Sequence, residues 1–396
     1  MLTEDNERLL YYQRAVEIGG QGMKVLFLSN TAGQGHRSTA DALMNSLRQA
    51  GAECRIIDTY KYLNPALYRT VANGYLIATA MIPETYGKFY RMYEKRDKND
   101  SKHSLTNVAN SIMAIKLKKF IDTQFKPDVI VCTHIFSAQL VNAMKLDGQL
   151  DVPIIGIVTD YTIHPFWQNV SAVDYIVIAS ELLAMQAEEK GISPSKLLPL
   201  GIPIDPKFCK KLDKAQARAE LGIDPGKFTL LLMSGSMGHG NLVKVLESID
   251  KLPFDFQVLV VCGNNLRAKR RCEEMHTAKR NFVFGFVNNV DVMMDASDCI
   301  ITKPGGLTSS EALAKLLPIV MINPIPGQEE RNVEFMLNNG LAVNVTETFP
   351  IGEALYQLFY YPAKLENMRE NIKLVGKPNA AKDITDFILR INEKHQ

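Results

Sequence analysis

The sequence predicts an α/β protein made of two Rossmann-like, doubly wound halves. Three observations carry this. Short, continuous apolar runs alternate with helical stretches at the spacing of βα units in a parallel sheet. Two of those runs end in glycine-rich loops that open helices, TAGQGH at 31–36 and SGSMGHG at 234–240. The chain has 396 residues, more than one ordinary domain uses.

Residues 1–22 read as a short helical extension ending in GGQG, with Met23 as an alternative translation start. The first half spans 23–201. Its strands are KVLFLSN, AECRIID, PDVIVCTH, VPIIGIVTD, DYIVIAS and KLLPLGIPI. Residues 60–120 interrupt the alternation with long, aromatic, basic helices. Residues 202–226, with three prolines and a charged helix, read as a linker plus the first helix of a second domain. The second half, 227–375, carries FTLLLMSG, FQVLVVCG, NFVFGF, DCIITKPG, LPIVMIN and LAVNV. Residues 376–396 hold a last helix, expected to pack on the first half. Ligands of open parallel sheets lie outside the carboxyl ends of the strands, so two such sheets are expected to face a central cleft.

Composition narrows the function. The net charge of +2 argues against a chain devoted to nucleic acid. The charge is uneven, however. Lys61 to Lys126 holds twelve Lys/Arg against five Asp/Glu, a local excess that suits an anionic surface. Six cysteines, at 54, 132, 209, 262, 272 and 299, form no CxxC pair and read as free thiols of a reducing compartment. No signal peptide is visible at the amino terminus, and no apolar run approaches the ~20 residues of a spanning helix. The expectation is a cytoplasmic protein with peripheral membrane contact.

Four loops can carry chemistry. In Thr31–His36, Gly33 and Gly35 let backbone approach a ligand, and the next helix presents its N–H groups. His36 can take a proton from an acceptor hydroxyl. The spacing fits neither GxGxxG nor GxxxxGK[ST], which speaks against a nicotinamide or P-loop site. In Thr159–Trp167, Asp160 ends a strand and stands four residues from His164, beside the only tryptophan, Trp167. Gly235, Ser236 and Met237 repeat the first loop's logic in the second half, in a form suited to a diphosphate. The fourth loop, KPGGLTSSEAL, opens a helix with Gly305, Gly306, Leu307 and Thr308 as an anion pocket. Glu311, in its first turns, can accept two ribose hydroxyls. Gln328 and Glu329 of NPIPGQEERN suit sugar hydroxyls. No DxD pair and no cluster at metal-ligand spacing occur, so a metal-free site is expected. Helix N-termini and backbone N–H groups would stabilise the leaving diphosphate.

Taken in order, SNTAGQGHRSTADAL, VTDYTIHPFW, KPGGLTSSEAL and NPIPGQEERN make the chain resemble glycosyltransferase family 28. The likeness covers about residues 23–390, and it is to the diacylglycerol branch of a MurG-like, GT-B family. That branch contains processive diacylglycerol β-glucosyltransferases and monogalactosyldiacylglycerol synthases. The resemblance implies inverting transfer of a hexose from a UDP-sugar, a co-substrate rather than a cofactor, to diacylglycerol. It makes His36 and Asp160 rival bases and places His164, Trp167 and the first glycine loop at the acceptor. It assigns Glu311 to ribose, Gln328 and Glu329 to hexose, and Phe286 and Val287 to uracil. Tyr60 to Arg96, rich in tyrosine, lysine and arginine, fits an anionic membrane interface. Glucose is the preferred hexose. Galactose, UDP-N-acetylglucosamine with a polyprenyl acceptor, a non-catalytic nucleotide-sugar sensor and an NAD-type dehydrogenase are the alternatives.

Overall fold

A computed structural model describes residues 22–30, 34–63, 114–234 and 241–393. The extension over 1–21, most of the aromatic and basic stretch, and Gly33, Gly235, Ser236 and Met237 lie outside the described residues. The chain divides into two compact units. Residues 1–205 and 379–396 form the first, and residues 206–378 form the second.

The first unit is built on a six-stranded sheet. Its strands are β1 (Lys24–Ser29), β2 (Glu53–Asp58), β3 (Val129–Cys132), β4 (Ile154–Ile157), β5 (Tyr175–Val177) and β6 (Leu197–Leu198). All paired strands run parallel, in the order β2-β1-β3-β4-β5-β6. Each strand matches an apolar run of the sequence. β1, β3 and β4 are buried almost throughout, which is why they read as continuous hydrophobic runs rather than alternating ones.

Helix α1 (Gln34–Gln49) follows β1, α2 (Thr59–Leu63) follows β2, and α3 (Ile135–Leu146) follows β3. Ala40, Leu43, Met44 and Leu47 recur at helical spacing on α1 and are buried with Val25 and Phe27 of β1. The chain's last helix, Ala380–Glu393, returns to this core. Its Ile384, Ile388, Leu389 and Ile391 join the same cluster, and the Thr385 hydroxyl donates to Ser46 Oγ at 2.8 Å.

The second unit has strands β7 (Phe228–Met233), β8 (Phe256–Val261), β9 (Arg280–Phe284), β10 (Cys299–Thr302), β11 (Ile319–Met321) and β12 (Ala342–Asn344). They are parallel, in the order β12-β11-β10-β7-β8-β9. That is the Rossmann order, with its switch between β10 and β7.

Of residues 202–226, read as a linker plus a first helix, those from 206 on are packed into the second unit. Arg218 is buried; it donates to Ala296 O at 2.9 Å and pairs with Asp298 at 2.7 Å. Lys315 and Asp295 form a buried ion pair at 2.5 Å, and Lys315 also donates to the carbonyl of Lys210. Buried charges need such partners, so the charged residues that suggest a linker are the ones that anchor this segment.

Candidate active site

In each unit the chemistry-bearing loops lie at the topological switch of the sheet. In the first unit the switch is between β1 and β3. β1 leads to Asn30 and α1, β3 leads to Thr133 and His134, and β4 leads to Thr159 and Asp160. Residues 97 and 123 positions apart in sequence therefore meet at one edge.

His36 is the centre of this meeting. It lies in the first turn of α1, half-buried. Its Nδ1 is 2.8 Å from the carbonyl oxygen of Thr133. A carbonyl only accepts, so the proton of the neutral ring sits on Nδ1 and Nε2 is left as the acceptor. The Thr159 hydroxyl oxygen lies 3.0 Å from the same Nδ1 and accepts from it as well. Burial lowers the pKa of His36 from the ordinary histidine value, while Asp160 and the Thr133 carbonyl oppose the shift. The result is a neutral imidazole with a fixed tautomer and a carboxylate at hand to stabilise its protonated form.

One further histidine borders it, and a third acts on that one. The His134 ring stands edge-to-face with His36, centroids 4.7 Å apart at 83°. His134 is the N-cap of α3, and its Nδ1 accepts from Phe136 N–H at 3.1 Å. Its pKa is held well below the ordinary value by burial, then by His36 and His164. His164 uses the same device, capping the 3₁₀ turn Pro165–Asn169 with Nδ1 3.2 Å from Phe166 N. In both neutral rings the proton is therefore on Nε2. His36 presents an acceptor, while His134 and His164 are donor tautomers.

The loop carrying Asp160 and His164 is firmly seated. Gln186 Oε1 accepts from Ile163 N–H at 2.6 Å. Trp167 is 4% exposed and lies against β4, where a Cβ on Gly156 would be 2.4 Å from its Cζ3. The sequence reading puts Trp167 at the acceptor. The structure shows its ring buried against Gly156 of β4. Gly35 is in the first turn of α1, beside His36.

In the second unit the switch lies between β7 and β10. Helix α4 (Gly306–Ala314) follows β10, with Gly305 as its N-cap and no side chain closing that end. Gly306 is buried; Leu307, Thr308 and Glu311 are half-buried. Helix α5 (Gln328–Asn338) follows β11. Gly327, with φ of 90°, makes the turn into it, and Glu330 accepts the Gly327 N–H at 2.8 Å. The two motifs are joined. Lys303 pairs with Glu329 at 3.1 Å, and buried Asn332 donates to Pro304 O at 2.8 Å. The other Glu329 oxygen accepts from Ile325 N–H at 2.8 Å. Glu329 is thus held by the protein itself, while Gln328 beside it is half-buried. Among the described residues, the hydroxyls of Ser234 and Ser309 are buried without a hydrogen-bond partner. They end β7 and open α4, on the two sides of the switch. Phe286 and Val287 follow β9 at the sheet edge, and Phe286 is 60% exposed.

His134, Gln186 and Asn332 carry no motif signal in the sequence. A parallel-strand reading that compares the residues ending neighbouring strands would have found His134. Among the described residues no group of three His, Cys, Asp or Glu is placed to hold a metal ion. No helix among them is long and apolar enough to cross a membrane.

Two parallel Rossmann-like sheets with polar loops at both switches define a GT-B protein. Solved structures share the fold. Acinetobacter baumannii MurG aligns with a TM-score of 0.63 at 15% identity, over 93% of this chain and 99% of its own. A UDP-GlcNAc 2-epimerase from Neisseria meningitidis, bound to UDP-GlcNAc, aligns with a TM-score of 0.56 at 16% identity, over 93% and 100%. An epimerase among them shows that the fold alone does not set the reaction.

Sequence comparison goes further. The family model for monogalactosyldiacylglycerol (MGDG) synthase matches residues 36–204, and that for glycosyl transferases group 1 matches 213–375. The processive diacylglycerol beta-glucosyltransferase of Bacillus mycoides is 30% identical over 93% of this chain and 94% of its own. That of Bacillus subtilis is 29% identical over 93% and 96%. The chain belongs to the processive diacylglycerol beta-glucosyltransferase family.

Proposed function

We propose that the protein transfers glucose from UDP-glucose to diacylglycerol, with inversion, to form a β-glucosyl-diacylglycerol. The observation that carries this is the His36 imidazole, whose Nδ1 is tied to the Thr133 carbonyl so that Nε2 is the acceptor. His36 Nε2 takes the proton of the free glycerol hydroxyl. That oxygen attacks C1 of the hexose from the face opposite the nucleotide. The bond from C1 to the β-phosphate oxygen breaks, and UDP leaves with the electron pair. Asp160 stabilises the imidazolium as it forms, which makes it the supporting carboxylate and His36 the base.

The roles divide by unit. The loop of Asp160, His164 and the buried Trp167 frames the acceptor. The open amino end of α4 and the unpartnered Ser234 and Ser309 hydroxyls suit the diphosphate, where charge builds as the bond breaks. Glu311 accepts from ribose, Gln328 and Glu329 meet the hexose, and Phe286 and Val287 flank the uracil. The basic, aromatic stretch from Lys61 to Lys126 supports peripheral docking on the anionic inner face of the cell membrane.

Galactose as donor has one observation behind it, the MGDG synthase match. That match covers residues 36–204, the half assigned here to the acceptor, so it favours the diacylglycerol rather than the hexose. The test is incubation with radiolabelled UDP-glucose or UDP-galactose and diacylglycerol vesicles, followed by lipid extraction. Label in the lipid from UDP-glucose is the expected result. Nucleotide binding without any UDP release would instead indicate a sensor.

A further inference from the structure

We propose that His134 is a positioning residue for His36: its ring closes one side of the His36 imidazole against water and fixes how that imidazole stands. This rests on His36 being the base, but it concerns a residue to which no role attaches through the motifs.

The geometry has three parts. The rings meet edge-to-face at 4.7 Å, a packed aromatic contact. The residue before His134 supplies the carbonyl that holds His36 Nδ1, so one backbone turn sets both the anchor and the wall. The His134 ring is itself immobilised. Its Nδ1 caps α3, and Tyr60 of α2 stands edge-on to it at 6.2 Å while stacking on Phe136 at 4.3 Å.

The groups around His36 are few. Asp160 faces it from the end of β4, and His134 from the end of β3, with His164 acting on His134. Tyr60, beside His134, is kept un-ionised by burial and by Asp58, its pKa raised to about 12. On α1 itself, Arg37 and Asp41 pair with each other at 2.9 Å. Asp160 is the charge that favours a protonated His36, and burial outweighs it. A neutral aromatic wall supplies that burial without adding a charge. It leaves Nε2 unprotonated at neutral pH and still basic enough to take a proton.

The cap and the wall can be separated. Asparagine and aspartate are good N-caps, so His134→Asn and His134→Asp retain the start of α3 and remove the ring. The readout is the proton titration of His36 in histidine-labelled, full-length protein by NMR, its signal assigned through His36→Asn. In His134→Asn the midpoint rises by roughly 0.5–1 pH unit as water reaches the ring. In His134→Asp it rises further, because a carboxylate replaces the wall. The acid limb of the pH profile of kcat/KM moves with it. If His36 titrates in folded His134→Asn as in the unaltered protein, the proposal is overturned and His134 is a cap alone. If the midpoint moves and the activity limb does not, the wall stands and the assignment of His36 as base falls.

Discussion

The two units use one architecture, a parallel six-stranded sheet with different strand orders, for different proposed tasks. Both place their polar loops at the switch point of a parallel six-stranded sheet. At the first switch, between β1 and β3, the loops converge on titratable side chains: His36, His134, His164 and Asp160. At the second, between β7 and β10, they offer a helix end, hydroxyls and a lysine–glutamate pair. A base must change its proton within one turnover, so it needs a tunable ring. A nucleotide diphosphate is anionic throughout and gains further charge as it leaves, so fixed dipoles serve it. The sheet decides where ligands go, and the loops decide what happens there.

Breaking each side separately gives the largest effects. His36→Asn is expected to lower kcat by about 10²–10⁴ while leaving UDP affinity unchanged. Glu311→Gln is expected to do the reverse, weakening UDP binding by roughly 1.5–3 kcal/mol and leaving the pH limb of His36 in place. Initial rates and calorimetric titration with UDP separate the two. Loss of UDP affinity in the His36 variant would end the proposed division of labour.

A smaller effect sharpens the role of the acceptor loop. Gly156→Ala puts a methyl within 2.4 Å of the Trp167 ring, which must shift and carry the loop of Asp160 and His164 with it. A loss of about 1–3 kcal/mol in unfolding free energy is expected, with a higher KM for diacylglycerol and an unaltered KM for UDP-glucose. Denaturant unfolding and steady-state kinetics measure both.

The smallest effect is a pH dependence belonging to the first unit. His36 and His134 have depressed pKa values in the folded chain. Above about pH 6.5 they are neutral both folded and unfolded and contribute nothing. Below it, the unfolded chain binds protons that the folded chain refuses, so stability falls as pH drops toward the folded-state values. Each contributes up to about 1.4 kcal/mol per pH unit in that window. Unfolding midpoints measured from pH 7 down to pH 5 should fall less steeply in His134→Asn than in the unaltered protein.

The strands are legible in the sequence because buried parallel strands are continuous apolar runs; VIVC, IIGI and FQVLVV need no context. The place of His36 is legible because it closely follows such a run. His134 is not, because what matters about it is that β3 lies beside β1, which pairing decides and local pattern does not. The burial of Trp167 is hidden for a related reason: only the pairing of its ring with the missing side chain at Gly156 shows it. The charges of 206–226 suggest solvent, while Lys214 and Arg218 both pair with Asp298 far along the chain.

The return of the last helix to the first unit has a consequence for how the molecule is made. The first unit is interrupted in sequence by the whole of the second. During synthesis, a chain that has emerged as far as residue 378 still leaves the apolar face of α1, with Leu43 and Leu47, without Ile384, Ile388 and Leu389. The unit that carries His36 is therefore begun first and completed last. The second unit, continuous in sequence, can finish its core in the meantime.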